Sequence, residues 1–177
     1  MTTKYVAFLR GINVGGHKII KMADLKRMFE SFGFSNVATF IQSGNVIFES
    51  SKSDTGALES GIQARLAKAL GYEVEIFVRT IREVYTLVRN TPFLDNAVNT
   101  VYVAFLRKAP GRSARKALLA LANPVDEFEV RGREVYWLRH RELGESLLSN
   151  NLMEKTLGQP ATTRNMTSIR KIVDKFG

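Results

Sequence analysis

Apolar residues enter this chain in short strand-like bursts, separated by polar turns and by stretches with helical spacing. One burst occurs twice: Tyr5-Val6-Ala7-Phe8-Leu9-Arg10 returns unchanged as Tyr102-Val103-Ala104-Phe105-Leu106-Arg107. Alternating β-branched and aromatic residues leading into a basic turn are what a strand feeding a loop requires. Each copy opens about half of the 177-residue chain, which predicts a duplicated fold. The alternative is two unrelated strands built from the same few residue types, and the order of elements after each copy decides between them.

After a first strand at residues 4–10, the apolar positions Met22, Leu25, Met28, Phe29 and Phe32 predict a helix that Gly33 stops. A second strand is predicted at 37–42, a tight turn at Ser43-Gly44 and a third strand at 45–49. A helix at 55–70 comes next, with Leu58, Ile62, Leu66 and Leu70 as its buried stripe, and then a fourth strand at 73–79. Residues 80–90 read as a helix leading out, and Thr91-Pro92-Phe93 as the joint between a half at 1–90 and a half at 91–177. The pattern then restarts: strand 100–107, helix 113–121, a hairpin of 126–130 and 134–139 around Arg131-Gly132-Arg133, and a helix at 142–157. A closing strand is not evident in the short stretch Gln159-Pro160-Ala161-Thr162-Thr163, and 167–176 reads as a terminal helix, so the second copy is expected to be modified.

The order β-α-β-β-α-β is that of the ferredoxin-like, or split βαβ, arrangement. The fold class expected is therefore α+β, with two such halves, each an antiparallel sheet carrying its helices on one face. This topology places the loop after the first strand and the turn between the second and third at the same end of the sheet. Residues 10–18 and 42–45 should therefore be neighbours, as should 107–112 and 131–133 in the second half. The opposite-facing Tyr136 and Trp137 would then put at most one ring inward.

Composition narrows the chemistry more than it names it. With 45% hydrophobic residues the chain can bury one sizeable core or two small ones. No apolar run reaches the roughly 18 residues that span a bilayer, and Met1-Thr2-Thr3-Lys4 leads into a strand, so no membrane association and a cytoplasmic setting are expected. The absence of cysteine removes disulfides, thiolate nucleophiles and cysteine-ligated metal sites. A net charge of +9 favours an anionic small molecule or nucleic acid as partner. It is spread evenly, with 12 basic against 8 acidic residues in 1–90 and 14 against 9 in 91–177, so no basic tail carries it. A solvated basic surface without a partner is the alternative.

The most distinctive segment is Arg10-Gly11-Ile12-Asn13-Val14-Gly15-Gly16-His17-Lys18. Its glycines permit positive φ and leave backbone N–H groups for an anion, with Arg10 and Lys18 at its ends. Gly11 and Gly16 imitate the start of a Walker A loop, but His17-Lys18 stands where Lys and then Ser or Thr are needed, so a nucleotide triphosphatase is rejected. A long loop whose glycines only satisfy backbone geometry is the alternative. Gln42-Ser43-Gly44-Asn45 offers amides and a hydroxyl toward a ligand, or simply a turn. Ser43 lacks a nucleophile elbow. His17 and His140 have no partner at metal-ligand spacing, so no metal and no cofactor are expected, although His17 has the chemistry of a proton carrier. Strand aromatics lack the RNA-recognition signature and are assigned to the core. Thr163 and Asn165 are placed to cap the last helix, and Arg164 to reach an anion or a carboxylate.

Residues 5–16, 42–46 and 163–165 together resemble the bacterial family catalogued as domain of unknown function 1697. That resemblance implies two ferredoxin-like α+β halves and a set of residues that matter together, but no reaction. The family's closing motif reads Thr-Arg-Asn-Trp-Asn-Thr, whereas Met166, Thr167 and Ser168 come after Asn165 here. The expected site comprises Arg10, Gly11, Asn13, Gly15, Gly16, Lys18, Gln42, Ser43, Gly44, Asn45, Arg164 and Asn165, holding a phosphate-bearing ligand, nucleotide or short nucleic acid. An enzyme using His17 as acid or base in the same cleft is the second reading, and an assembly surface the third.

Overall fold

The computed structural model describes residues Met1–Gly177, which divide into two compact units. The first comprises Met1–Tyr85 with Ile172–Gly177, and the second Thr86–Lys171. In the first, β1 (Thr3–Leu9), α1 (Met22–Ser31), β2 (Ser35–Phe40), β3 (Asn45–Ser50), α2 (Thr55–Leu70) and β4 (Ile76–Thr80) form a four-stranded sheet of order β2-β3-β1-β4. After α3 (Ile81–Arg89), β5 (Asn99–Leu106), α4 (Arg112–Leu119), β6 (Asp126–Arg131), β7 (Glu134–His140), α5 (Asn150–Leu157) and β8 (Ala161–Asn165) form a second sheet of order β6-β7-β5-β8, and α6 (Met166–Phe176) ends the chain. All pairings within both sheets are antiparallel. Both units are thus ferredoxin-like.

The repeated hexapeptide occupies the same ladder position in each sheet. Tyr5 lies opposite Phe48 and Thr80, and Tyr102 opposite Trp137 and Asn165. Each tyrosine stacks on its neighbour's ring, at 5.5 Å for Tyr5–Phe48 and 4.6 Å for Tyr102–Trp137. The closing strands match as well: Val6 faces Arg79 and Val103 faces Arg164, both arginines are buried, and each donates through Nη1 to the carbonyl of the residue before it.

The closing strand missing from the sequence pattern is β8. Its five residues alternate too little to announce a strand, and the β5 partner is what defines it. The helix expected at 142–157 is shorter. A 3-10 turn at Arg141–Leu143 ends at Gly144, whose φ of 134° no helix accommodates, and α5 starts only where the Ser149 hydroxyl accepts from Leu152 N at 3.1 Å. Strand β4 begins at Ile76, not at residue 73, because its β1 partner ends at Leu9, which pairs with Ile76.

In the first unit Tyr5, Ala7, Leu9, Val46, Phe48, Ile76 and Val78 pack against Leu25 and Phe29 of α1 and Leu58, Ile62 and Leu66 of α2. The other sheet face is equally dry: Val6, Phe8, Ile47 and Phe77 are at most 2% exposed. The second sheet behaves alike, with Val103, Phe105 and Tyr136 buried on the face away from α4 and α5. Tyr136 and Trp137 do point oppositely, yet Tyr136 is buried and Trp137 is half-buried against the helix-side core. The Tyr136 hydroxyl donates to Leu87 O at 3.3 Å, and Trp137 Nε1 donates to Asp126 Oδ1 at 2.7 Å. The expectation of one inward ring assumed a solvated face that this sheet lacks.

Edge strand β4 is finished by Glu59 of α2, 3% exposed, whose carboxylate accepts from Val78 N at 2.8 Å and lies 3.7 Å from Arg79 Nη1. Glu59→Ala is expected to cost about 3–5 kcal/mol in urea denaturation, because it strands a buried cation and a ladder N–H. Glu59→Gln, which retains an acceptor, should cost less, and equal losses would contradict the assignment. Burial, then the charge of Glu134, pushes the Tyr136 hydroxyl up to about 12. The unfolded chain therefore ionises first, and stability should fall as pH rises from about 10 toward 12. Tyr136→Phe should reduce that alkaline loss in pH-dependent denaturation.

Candidate functional site

Strand β1 releases the chain at one end of the first sheet, and residues 10–21 wander there before α1 begins. The root of this loop is fixed by Leu9 N donating to Gly44 O and Arg10 N to Glu75 O, both at 2.9 Å. Beyond it, Val14 and His17 form an antiparallel bridge, and Gly15 and Gly16 turn the corner with φ of 60° and 75°. Two successive positive φ angles are the requirement of a two-residue type I′ hairpin turn, and glycine meets it without a Cβ penalty. The bonds from His17 N to Val14 O and from Asn13 N to Lys18 O, both 3.2 Å, close the hairpin. The Gly15 and Gly16 amides take no part in these bonds, and both residues are exposed.

Asn13 fastens this hairpin to the turn between β2 and β3. Its Nδ2 donates to Gln42 O at 2.9 Å and to Ile20 O at 3.1 Å, while Oδ1 accepts from Ile20 N at 2.8 Å. The two loops predicted to be neighbours therefore touch, and the second unit repeats the adjacency through Leu106 N donating to Arg133 O at 2.9 Å. Gly44 is locked from beneath: at φ of 78°, a Cβ there would stand 2.5 Å from Ile12 Cδ1. Asn45 is fully buried and donates to Phe40 O at 2.9 Å and Ser43 Oγ at 3.1 Å.

These contacts divide the expected site residues into a frame and a rim. Asn13, Ser43, Gly44 and Asn45 hold the loops in place, so their polar groups are spent inside the protein. Gly11, Gly15, Gly16, Lys18 and Gln42 are exposed, and Arg10 is half-buried at the loop root. Lys18 is partly occupied, donating to Glu73 O at 3.0 Å with its ammonium 5.3 Å from the Tyr72 ring centre. His17 is exposed and its ring makes no hydrogen bond. Sequence reasoning missed Ile41, an exposed β-branched residue at φ of 53°, which with Lys18 at 49° and Asn13 at 55° concentrates left-handed backbone on this edge.

Arg164 and Asn165 belong to the second unit and have local work there. Arg164 is 7% exposed and donates to Thr162 Oγ1 at 2.8 Å and Thr163 O at 3.0 Å, and its burial lowers its pKa to about 10. It lies on β8, the strand that the sequence pattern does not announce. Asn165 caps α6, its Oδ1 accepting from Thr167 N at 2.8 Å, whereas Thr163 instead donates to Asn150 Oδ1. Met166, where the family motif has tryptophan, is fully buried and so fills a packing position. No three His, Asp or Glu side chains are grouped so as to hold a metal ion, and no helix is long and apolar enough to cross a membrane.

Residues 1–136 match the family described as a protein of unknown function, DUF1697. Among solved structures, a conserved bacterial protein of Streptococcus pneumoniae, SP0830, is similar over 98% of both chains with a TM-score of 0.71 and 20% identity, a likeness of fold. The comparison with curated proteins returns no match.

The frame is testable through its glycines. A left-handed backbone costs a non-glycine residue about 1–2 kcal/mol, so Gly15→Ala, whose Cβ would meet only the His17 ring at an ordinary 4.0 Å, should lose roughly that amount. Gly44→Ala meets Ile12 as well and should lose about 1–3 kcal/mol more. Equal denaturation midpoints for the two variants would contradict the locked turn.

Proposed function

Because the chain belongs to the DUF1697 family, whose description supplies no activity, its function must be read from its own residues, and we propose that the glycine-bearing edge of the first sheet binds a phosphate-bearing ligand, a nucleotide or short nucleic acid. The observation that carries this reading is the left-handed backbone that recurs through residues 11–18 and 41–44, strained at Asn13, Lys18 and Ile41 and held in place by Asn13 and Asn45. Strain of this kind is maintained where surrounding contacts over-determine it, and it collects at functional edges. The loop after β1 spans residues 10–21, while its counterpart after β5 spans only 107–111, so the elaboration is confined to one copy of the duplicated fold.

On this edge the Gly15 and Gly16 amides and the Gln42 side chain offer uncommitted donors, and Arg10, Lys18 and Lys21 supply positive charge. The net charge of +9 would draw an anion toward it, and a cysteine-free chain suits a reducing compartment such as the cytoplasm. Acid–base catalysis by His17 is disfavoured, because no carboxylate orients the exposed ring.

Fluorescence anisotropy with a labelled single-stranded oligonucleotide and with a labelled nucleotide tests the reading. Binding should weaken steeply between about 50 and 200 mM salt. Arg10→Ala and the exposed Gln42→Ala should each weaken it at least about fivefold, the latter without loss of thermal stability. Negligible affinity at low salt, or full affinity in both variants, would refute it.

A further inference from the structure

At the other end of the same sheet, the first unit holds a cleft of about 240 Å³ between the exit of α1, the start of β2, the end of β3 and one face of α2. Three departures from regular structure border it. Gly61 sits in mid-helix, where glycine is a poorer helix former than alanine, and a Cβ there would meet nothing within 4 Å. Register slips between Ser35 and Ala38 of β2, a bulge at which Asn36 takes a φ of 49°. Gly33, at φ of 89°, turns the chain from α1 into β2. Bulges and strained residues of this kind re-aim side chains beside functional sites.

The walls are chemically ordered. Phe32 and Phe34 supply aromatic surface, and Leu58 and Ile62 the apolar floor. Arg65 is positioned by its Nη1 bond to Phe32 O at 2.6 Å and by stacking of the guanidinium 5.6 Å from the Phe32 ring centre. Its remaining donors make no hydrogen bond within the protein. Across the cleft, Glu49 is held through Oε2 alone, which accepts from Asn36 Nδ2 at 2.9 Å and Thr2 Oγ1 at 3.5 Å. A positioned guanidinium fork and a positioned carboxylate thus line a largely polar cleft with an aromatic and aliphatic patch, smaller than the roughly 300–1,000 Å³ of drug-sized sites.

We propose that this cleft is a binding site for a small zwitterion, an amino acid with an apolar side chain. Its carboxylate pairs with Arg65, its ammonium with Glu49 Oε1, and its side chain lies against Phe32, Phe34 and Ile62. The fork geometry of arginine suits a carboxylate, and the bare helix face at Gly61 is what makes room for the ligand. The site is separate from the glycine edge and does not depend on the anion-binding reading.

Isothermal titration calorimetry with L-phenylalanine and L-leucine tests it, with 3-phenylpropionate and phenethylamine as analogues lacking the ammonium and the carboxylate. At least one amino acid should bind saturably, and both analogues at least tenfold more weakly than L-phenylalanine where that is the ligand. Gly61→Leu fills the cleft with a better helix former, so it should fold at least as stably and abolish binding while leaving oligonucleotide affinity intact. Arg65→Gln should weaken the amino acid at least tenfold and leave the amine unchanged. Absence of binding by both amino acids, unchanged binding in Gly61→Leu, or equal affinity for L-phenylalanine and 3-phenylpropionate would overturn the proposal.

Discussion

The antiparallel register between β1 and β3, from Thr3 opposite Ser50 to Phe8 opposite Asn45, is the constraint on which both candidate sites depend. A slip of one residue would turn one strand over relative to the other, so that with Tyr5 kept on the helix side Phe48 would leave it and Ile47 would take its place. At one end this register delivers Gly44 to Leu9, and thereby the β2–β3 turn to the glycine hairpin. At the other it sets Glu49 beside Lys4, near the bulge of β2 and the face of α2. The Tyr5–Phe48 stack and the bond from the Tyr5 hydroxyl to Lys52 O at 2.7 Å reinforce it from within the core.

The duplication accounts for what the two units share, and loop chemistry for what they do not. Each sheet carries the hexapeptide in its central strand and a buried arginine on its closing edge, which is a solution for finishing an edge strand and carries no functional implication. Where the first unit has twelve residues after its opening strand, the second has five, tied down by reciprocal bonds between Lys108 and Gln159. A short connection tied to Gln159 leaves less room for a ligand than the twelve-residue loop does. The longer loop can support a hairpin only because Asn13 substitutes side-chain hydrogen bonds for missing secondary structure.

Much of this was legible in the residues. Helical spacing predicted α2 with both its ends, and the order of elements placed residues 10–18 beside 42–45. The topology could not say that Asn13, Ser43 and Asn45 would spend their polar groups on the frame, since an asparagine in a loop looks the same whether it holds a ligand or a neighbouring carbonyl. Strand β8 was not evident because Ala-Thr-Thr-Arg-Asn has little apolar alternation and becomes a strand only by pairing with β5. Burial on both sheet faces did leave a trace: Tyr-Val-Ala-Phe-Leu has no polar residue in alternation, as a strand covered on both sides requires. The cleft left almost none, because an isolated Gly61 in a helical pattern and a positive φ at Asn36 become informative only once the fold places the helix face and the strand bulge beside one cleft.

The most direct test of the central claim, that the glycine-bearing edge is an anion site, is a ¹⁵N-labelled amide NMR titration with a short single-stranded oligonucleotide. The account predicts saturable shifts concentrated on Arg10, Gly11, Gly15, Gly16 and Lys18 and on the Gln42 backbone and side-chain amides, with the Gly61 and Arg65 amides unmoved. Shifts scattered over basic residues of both units, with Gly15 and Gly16 unaffected, would contradict it.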